Sequence, residues 1–394
     1  MDLTPKETPL REAVIVEALR TPVGRRKGAL ADWHPADLLA LVLEELVRRS
    51  GIDAAEVDDV IVGCLDQVGE QGVNVARSAL LGAGFPEEVP GVTVDRQCGS
   101  SQQAAHFAAQ GVMSGSYDVA IAAGVESMTR VPMWSNMPDR SAAYGTRFRE
   151  RYGLGPDDWV DQGEAAELLA DRWEIDRQAM DELALASHLR AAAATDEGRF
   201  EEQLVPVPLN GSSLTADEGI RRSASAEVLA ELDPVFREDG RVTAGNSSQL
   251  SDGAAALLIT TPEAAERLGL RPRARLRAFT VVGANPIEML AGPIPATRKL
   301  LERTGLTLGD IDLFEVNEAF ASVPLAWQRE LDADLERTNV NGGAIALGHP
   351  LGCSGARIMT TLLHEMERRG ARLGLQTMCE GGGVANATLL ELVD

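Results

Sequence analysis

Two segments of this chain repeat one another. Gly51-Ile-Asp-Ala-Ala-Glu-Val-Asp-Asp-Val-Ile-Val62 and Gly305-Leu-Thr-Leu-Gly-Asp-Ile-Asp-Leu-Phe-Glu-Val316 share a glycine, an aliphatic, an acid, an aliphatic, an aspartate and a valine in the same order. The offset is 254 residues. Carried forward, it sets Cys98 opposite Gly352, just after His349-Pro350, and Val119-Ala-Ile beside Leu373-Gly-Leu, which leads into Cys379. Three features on one offset imply two similar halves. Their corresponding loops can meet near a pseudo-twofold axis and build one site between them.

The local pattern says what each half contains. Ala13 to Ala18, Val57 to Val62, Gly91 to Val94 and Asp118 to Gly124 read as strands. Between them, Asp37 to Val47, Asn74 to Leu81 and the small-residue run Cys98 to Met113 read as helices. Apolar strands alternating with helices predict an α/β fold with mainly parallel or mixed sheets. Residues 1–270 form the first half in this reading and 271–394 the second. From about 129 to 246 the pattern breaks, and this insertion holds Trp134, Trp159, Trp173, Tyr144 and Tyr152. Helical composition at 164–172 and 177–194 makes it a folded excursion: a lid or ligand-gripping subdomain, or equally a packing or oligomerisation flap.

Composition removes several function classes. Sixty acidic against 37 basic residues leave a formal charge of −23, so a broad nucleic-acid-binding face is not expected. Lysine occurs only at 6, 27 and 299, which leaves little scope for Schiff-base chemistry, and no GK[ST] phosphate loop is present. No stretch resembles a membrane span, and the polar N-terminus does not read as a signal peptide. Cys64, Cys98, Cys353 and Cys379 lie far apart, so neither a disulfide framework nor a zinc site is expected. The reading is a cytoplasmic protein with free thiols.

Four places carry chemistry. Cys98 stands between a strand and a helix, where unpaired N–H groups and the helix dipole favour thiolate, although a lone cysteine is more often buried and inert. His349 sits in the glycine-dense Asn341-Gly-Gly-Ala-Ile-Ala-Leu-Gly-His-Pro-Leu-Gly-Cys-Ser-Gly355. There it can take a proton from Cys98, donate to an oxyanion, or simply cap a turn. Cys379 ends an apolar strand before Glu380-Gly-Gly-Gly383, whose N–H groups, Gly381 among them, can line an oxyanion hole. A thiol there suits protonation of a carbanion. Asn317, in Asn317-Glu-Ala-Phe320, can hold a water or cap a helix. Ala244-Gly-Asn-Ser-Ser248 reads as a turn opening a helix. Cys64, Cys353 and the other histidines (His34, His106, His188, His364) read as structural or exposed.

Together these motifs make the chain resemble the thiolase family over essentially its whole length. The resemblance rests on Asp95-Arg-Gln-Cys-Gly-Ser-Ser101, Asn317-Glu-Ala-Phe320, Asn341-Gly-Gly…Gly348-His-Pro350 and Cys379-Glu-Gly-Gly-Gly383, in the family's order. It implies two thiolase-type halves with a loop domain inserted in the first. Cys98 would carry the acyl group; His349 would activate that thiol and line the thioester oxyanion site, with a water held by Asn317; and Cys379 would protonate the departing acetyl-CoA enolate. The N–H groups of Cys98 and Gly381 would form a second oxyanion hole. Ala244, Ser248, Ala319 and Phe320 would line the CoA arm, and Arg221 would lie near its adenine nucleotide. The implied activity is thiolysis of a 3-oxoacyl-CoA, with CoA as co-substrate and no permanently bound cofactor. The implied assembly is a homo-oligomer, a dimer of dimers.

Three departures bear on substrate. Gly99-Ser-Ser-Gln-Gln103 follows the nucleophile where a Ser-Gly-Leu-like run is frequent, Gln162-Gly163 stands where acetoacetyl-CoA-preferring members have Met-Gly, and Glu380 follows Cys379. These resemble an actinobacterial degradative branch that includes steroid side-chain thiolases, and they weigh against a biosynthetic acetoacetyl-CoA enzyme. Two rivals are a ketoacyl synthase, which needs a second catalytic histidine or a His/Asn pair, and a non-catalytic acyl-CoA carrier of the same fold.

Overall fold

The computed structural model describes residues 11–393. The polar segment 1–10, with Lys6 and most of the stretch read as lacking a signal peptide, lies outside the described residues. The strands are β1 (Val14–Arg20), β2 (Gly24–Arg25), β3 (Asp59–Gly63), β4 (Gly91–Val94), β5 (Val119–Ser127), β6 (Val207–Leu209), β7 (Ser212–Leu214), β8 (Ser251–Thr260), β9 (Ala274–Gly283), β10 (Leu313–Val316), β11 (Leu373–Glu380) and β12 (Val384–Leu392). Seven helices matter to the site: α1 (Pro35–Ser50), α2 (Val75–Gly82), α3 (Ser100–Ser114), α4 (Gln162–Arg172), α5 (Arg177–Asp196), α6 (Pro293–Thr304) and α7 (Ser354–Arg369).

The main sheet runs β10-β11-β12-β9-β1-β8-β5-β3-β4, with β2 on β8. The repeat is visible in this order: β3-β5-β8-β1 is answered by β10-β11-β12-β9. The seam between them is β1 against β9, antiparallel over Val14↔Arg275 and Ile15↔Ala274. Parallel pairs occupy the outer strands of each half, β3 with β4 and β5, and β10 with β11. The inner pairs, β5 with β8, β8 with β1, β11 with β12 and β12 with β9, are antiparallel. The sheet is therefore mixed. β12 follows β11 through a tight turn at Gly381–Gly383, and such a hairpin can only return antiparallel.

Helices cover the sheet because its strands are apolar on both faces; β5 and β8 are buried at every position. α1 and α2 pack Leu39, Leu43, Leu46 and Leu80 against Val60, Val62, Ile121 and Leu258. α6 packs Ile294 and Leu300 against Phe314, Val316 and Leu375 in the second half. α1 closes on Gly51 at φ 75° and α6 on Gly305 at φ 70°, the first residues of the repeat. That left-handed cap suits glycine.

α3 and α7 begin at Ser100 and Ser354, one repeat apart, and share an apolar cluster with strands of both halves. Their first turns touch backbone to backbone. Ala356 N–H donates to Ser101 Oγ at 2.9 Å, and a Cβ on Gly355 would overlap Gln102 N. This contact leaves room only for glycine at 355 and is closed by the hydroxyl of Ser101.

The insertion leaves after β5 and returns before β8. Its two expected helices are α4 and α5, which pack Ala166, Leu169, Met180 and Ala184 into one cluster with Ala319, Phe320, Ile345 and Cys379. The segment Ala244–Ser248 does not open a helix; it is a loop leading into β8. Its polar groups are drawn to the second half and to the loop itself. Ser248 N–H donates to Ala319 O at 2.9 Å, and Ala321 N–H to Asn246 O at 2.9 Å. The Asn246 side chain is buried, accepting from Thr243 N–H and donating to Asp181.

Candidate active site

Cys98 immediately precedes the Gly99 cap of α3, and Gln97 before it takes a left-handed φ of 51°. The N–H groups of Cys98 itself and of Gly381 both act on the thiol and favour its charged form. They do not win. Burial, followed by the Glu380 carboxyl, pushes Cys98 up to about 12. The helix-end argument for a resting thiolate is thereby corrected: a dipole worth about 0.3–1 kcal/mol cannot offset removal of the charge from water.

Glu380 is fully buried directly behind the nucleophile, so close that a Cβ on Gly99 would overlap its Oε1. With the Asn386 amide oriented to satisfy both neighbours, its Nδ2 donates to Glu380 Oε1 at 3.0 Å and its Oδ1 accepts from Gln103 N–H at 3.2 Å. Burial holds the Glu380 carboxyl well above the usual range, against the pull of Arg96. Cys379, near the end of β11, is also buried, and burial, then Cys98 and Glu380, raise its thiol well above the ordinary value. β11 thus brings Cys379, Glu380 and, at the following turn, Gly381 against Cys98.

His349 is fixed from several sides. Its N–H donates to Gln249 O at 3.1 Å and Ser251 Oγ at 3.2 Å. Its Nδ1 lies 2.6 Å from Ser354 Oγ, and that hydroxyl donates to Pro350 O at 2.8 Å. With the Ser354 proton directed at Pro350 O, the hydroxyl accepts from Nδ1; this assigns the neutral Nδ1–H tautomer from the hydrogen-bond network. Nε2 is left as an acceptor, 3.4 Å from Asn317 Nδ2. Burial, then the positive Arg357, lower His349 to about 3, so it is neutral near pH 7. Asn317 follows β10, and the next helix, Ser322–Leu331, is capped at Ala321, so Asn317 is not a cap. Its Oδ1 is buried with no partner among the described residues. Among those residues Cys98 and His349 make no direct hydrogen bond, an arrangement common before substrate tightens a site.

The expected CoA-contacting residues fall on three segments: the Ala244–Ser248 loop, Ala319-Phe320 and the loop that holds Arg221. Ser248, Ala319 and Phe320 are joined by the loop bonds above and by a bridge between Ser247 and Phe320. Ala244 is exposed on the same loop. Arg221 is exposed, without an ion-pair partner among the described residues, and its N–H donates to His188 Nδ1 at 3.1 Å. Its loop is tied inward: Gln249 Nε2 donates to Gly219 O at 2.9 Å, and Gln249 O receives the N–H of His349.

Sequence reasoning passed over Ser354 and Glu126, and read Glu380 only as a departure bearing on substrate. Ser354 sets the His349 tautomer, Glu380 backs Cys98, and Glu126 joins the two halves. Glu126 accepts from Leu65 N–H and Gly352 N–H, both at 2.8 Å, and burial against these bonds pushes it up to about 7. An acid within the otherwise apolar β5 was the visible signal. Gly352, opposite Cys98 in the repeat, has no room for a side chain, since a Cβ would lie 2.5 Å from Cys64 Cα and 2.9 Å from Gly63 O. The remaining histidines are structural; His106, for one, is buried, 2.7 Å from Thr388 Oγ1, and stacks on Phe279. Among the described residues no group of three His, Cys, Asp or Glu could hold a metal ion.

Comparison with known proteins gives concordant matches. Residues 13–263 match the family described as thiolase, N-terminal domain, and residues 270–392 that described as thiolase, C-terminal domain. The steroid 3-ketoacyl-CoA thiolase FadA6 of Mycobacterium tuberculosis is 50% identical, covering 97% of this chain and 94% of that protein. The 3-ketoacyl-CoA thiolase of Bacillus subtilis is 43% identical, over 97% and 100% respectively. The crystal structure of the Bacillus anthracis acetyl-CoA acetyltransferase superposes with a TM-score of 0.88 at 41% identity, over 98% of this chain and all of that one.

Proposed function

The chain belongs to the thiolase family, and from that membership we propose that it is an acyltransferase that cleaves a 3-oxoacyl-CoA with CoA, giving acetyl-CoA and a shortened acyl-CoA. The reaction is ping-pong acyl transfer through Cys98 in the breakdown of fatty acids or steroid side chains. Relatives named as 3-ketoacyl-CoA thiolases support this degradative direction over condensation of two acetyl-CoA.

The observation that carries the mechanism is the meeting of Cys98 with the N–H of Gly381 and the thiol of Cys379. Cys98 gives its proton to the neutral Nε2 of His349, and its sulfur attacks the 3-keto carbon. The Cα–Cβ bond breaks, and its electron pair leaves with the acetyl-CoA enolate. Cys379, kept protonated by burial, donates a proton to the enolate carbon. The incoming CoA thiol then takes the acyl group from Cys98, and its proton restores the balance. The N–H groups of Cys98 and Gly381 stabilise one developing oxyanion; His349, with a water held by Asn317, stabilises the thioester oxygen. Arg221 receives the adenine nucleotide end of CoA, and Ala244, Ser248, Ala319 and Phe320 line its arm.

The division into halves 1–270 and 271–394, with 129–246 inserted, is supported by the mirrored strand order. The assembly is a homo-oligomer, a dimer of dimers, in which the open β4 edge of the sheet supports the pairing of two copies and no more. A cytoplasmic location is supported by four free cysteines; no described helix is long and apolar enough to cross a membrane.

Intact-protein mass spectrometry after mixing with acetoacetyl-CoA, without free CoA, tests the reading. An acetyl adduct on the wild type, absent from Cys98→Ala and discharged by added CoA, is expected. CoA-ester binding without an adduct would instead identify a carrier.

A further inference from the structure

A cavity of about 190 Å³ opens beside Gln97 and Gly381, the residue before the nucleophile and the one whose N–H acts on its thiol. Leu65, which shares an apolar cluster with Cys98, and Met289 contribute to its lining. Three further lining residues, Trp134, Tyr144 and Trp159, come from the insertion. These rings brace one another: Trp134 meets Trp159 edge-on at 5.2 Å between centroids, and Tyr144 stacks on Trp159 at 5.5 Å and on Phe148 at 4.5 Å. Trp134 is further fixed by its backbone. It takes a left-handed φ of 74°, its N–H donates to Asp66 Oδ2 at 3.3 Å, and Asn136 N–H donates to the other oxygen of that buried carboxyl at 3.1 Å.

We propose that this aromatic wall, Trp134, Tyr144 and Trp159, sets the size of the acyl group delivered to Cys98, and that the chain takes compact 3-oxoacyl-CoAs. The class is a short chain, up to about eight carbons, or a single six-membered ring. The inference rests on the acyl-transfer reading above and narrows it. The volume held against this wall points to the class. A cavity of roughly 150 Å³ holds one benzene ring, so 190 Å³ holds one ring with a small substituent. A fused four-ring nucleus needs a multiple of that, and a wall of rings braced edge-on and by stacking, on an anchored backbone, does not yield it cheaply. Gln162, where acetoacetyl-CoA-preferring relatives have Met, also lines the cavity and places an amide at its rim.

The test is the rate of Cys98 acylation, read by intact mass, with acetoacetyl-CoA, 3-oxooctanoyl-CoA, 3-cyclohexyl-3-oxopropanoyl-CoA, 3-oxohexadecanoyl-CoA and a 3-oxoacyl-CoA carrying an intact steroid nucleus. For the wild type, the eight-carbon and cyclohexyl substrates are expected to acylate at least tenfold faster than the hexadecanoyl and steroid ones. Trp159→Ala is expected to raise the large-to-small rate ratio at least tenfold, and Trp159→Phe, which keeps a ring in the wall, to leave that ratio near the wild-type value. Equal wild-type rates for the steroid and octanoyl substrates overturn the proposal, and that comparison requires no variant to fold. So does a ratio unmoved in folded Trp159→Ala. Absence of an adduct even from acetoacetyl-CoA would overturn the acyl-transfer reading itself, and this inference with it.

Discussion

Ser354 Oγ lies 2.6 Å from His349 Nδ1 and donates a hydrogen bond to Pro350 O, and this pairing assigns the nitrogen of the histidine that is left to accept in the site. Ser354→Ala removes the acceptor that keeps the proton on Nδ1. A hydrogen bond of this kind contributes about 0.5–1.5 kcal/mol net, and about 1.4 kcal/mol is a factor of ten in rate. kcat is expected to fall about tenfold, with KM for the acyl-CoA little changed. Steady-state kinetics at pH 7 and a melting curve check it; a lower melting point with unchanged kcat would assign Ser354 to packing alone.

Glu380 raises Cys98 through like charge once both begin to ionise. Glu380→Gln keeps the shape and removes the charge. The rate of Cys98 alkylation by iodoacetamide, followed against pH, is expected to reach its midpoint at lower pH in this variant than in the wild type. An unmoved midpoint would mean that Glu380 stays neutral throughout and acts only by filling space.

Burial pushes Glu315 on β10 up to about 8, against the attraction of Arg357. Its folded pKa is thus raised above the unfolded value, so the unfolded chain loses this proton first. Stability falls as pH rises from about 4.5 to 8 and levels off beyond. In Glu315→Gln that loss is absent. The melting temperature of the variant relative to the wild type is expected to climb over this window by several degrees. A difference independent of pH would show that Glu315 is ionised in the folded chain.

Gly355→Ala forces a methyl into the backbone contact between α3 and α7. Overpacking of this kind costs about 1–3 kcal/mol. The urea midpoint is expected to drop accordingly, with activity lost as well because both helix starts position the site. A midpoint within error of the wild type would mean that the two helices can part.

The parts legible in the sequence were those fixed by local pattern or by the repeat. β4 was read to the residue, α3 within two at either end, and Cys98, Cys379 and Gly381 come together as their motifs implied. What escaped depends on partners far along the chain. The helix-end argument for Cys98 could not include Glu380, which β11 brings behind it from the other half. Ser and Asn at 244–248 have the composition of a helix start, but their hydrogen bonds run to Ala319 and Ala321. The β1–β9 seam joins residues some 260 apart through two register pairs and leaves no local trace.

The repeat has a consequence for how this chemistry could arise. Two identical half-chains paired about a true twofold would carry two equivalent loops, each obliged to do the same job. Joined in one chain, the equivalents are free to differ: one position holds Cys98, while its counterpart is Gly352, packed too tightly for any side chain. The second loop, released from holding a nucleophile, carries His349 instead. Fusion thus turns two equal positions into a division of labour between sulfur and imidazole, which strict symmetry forbids.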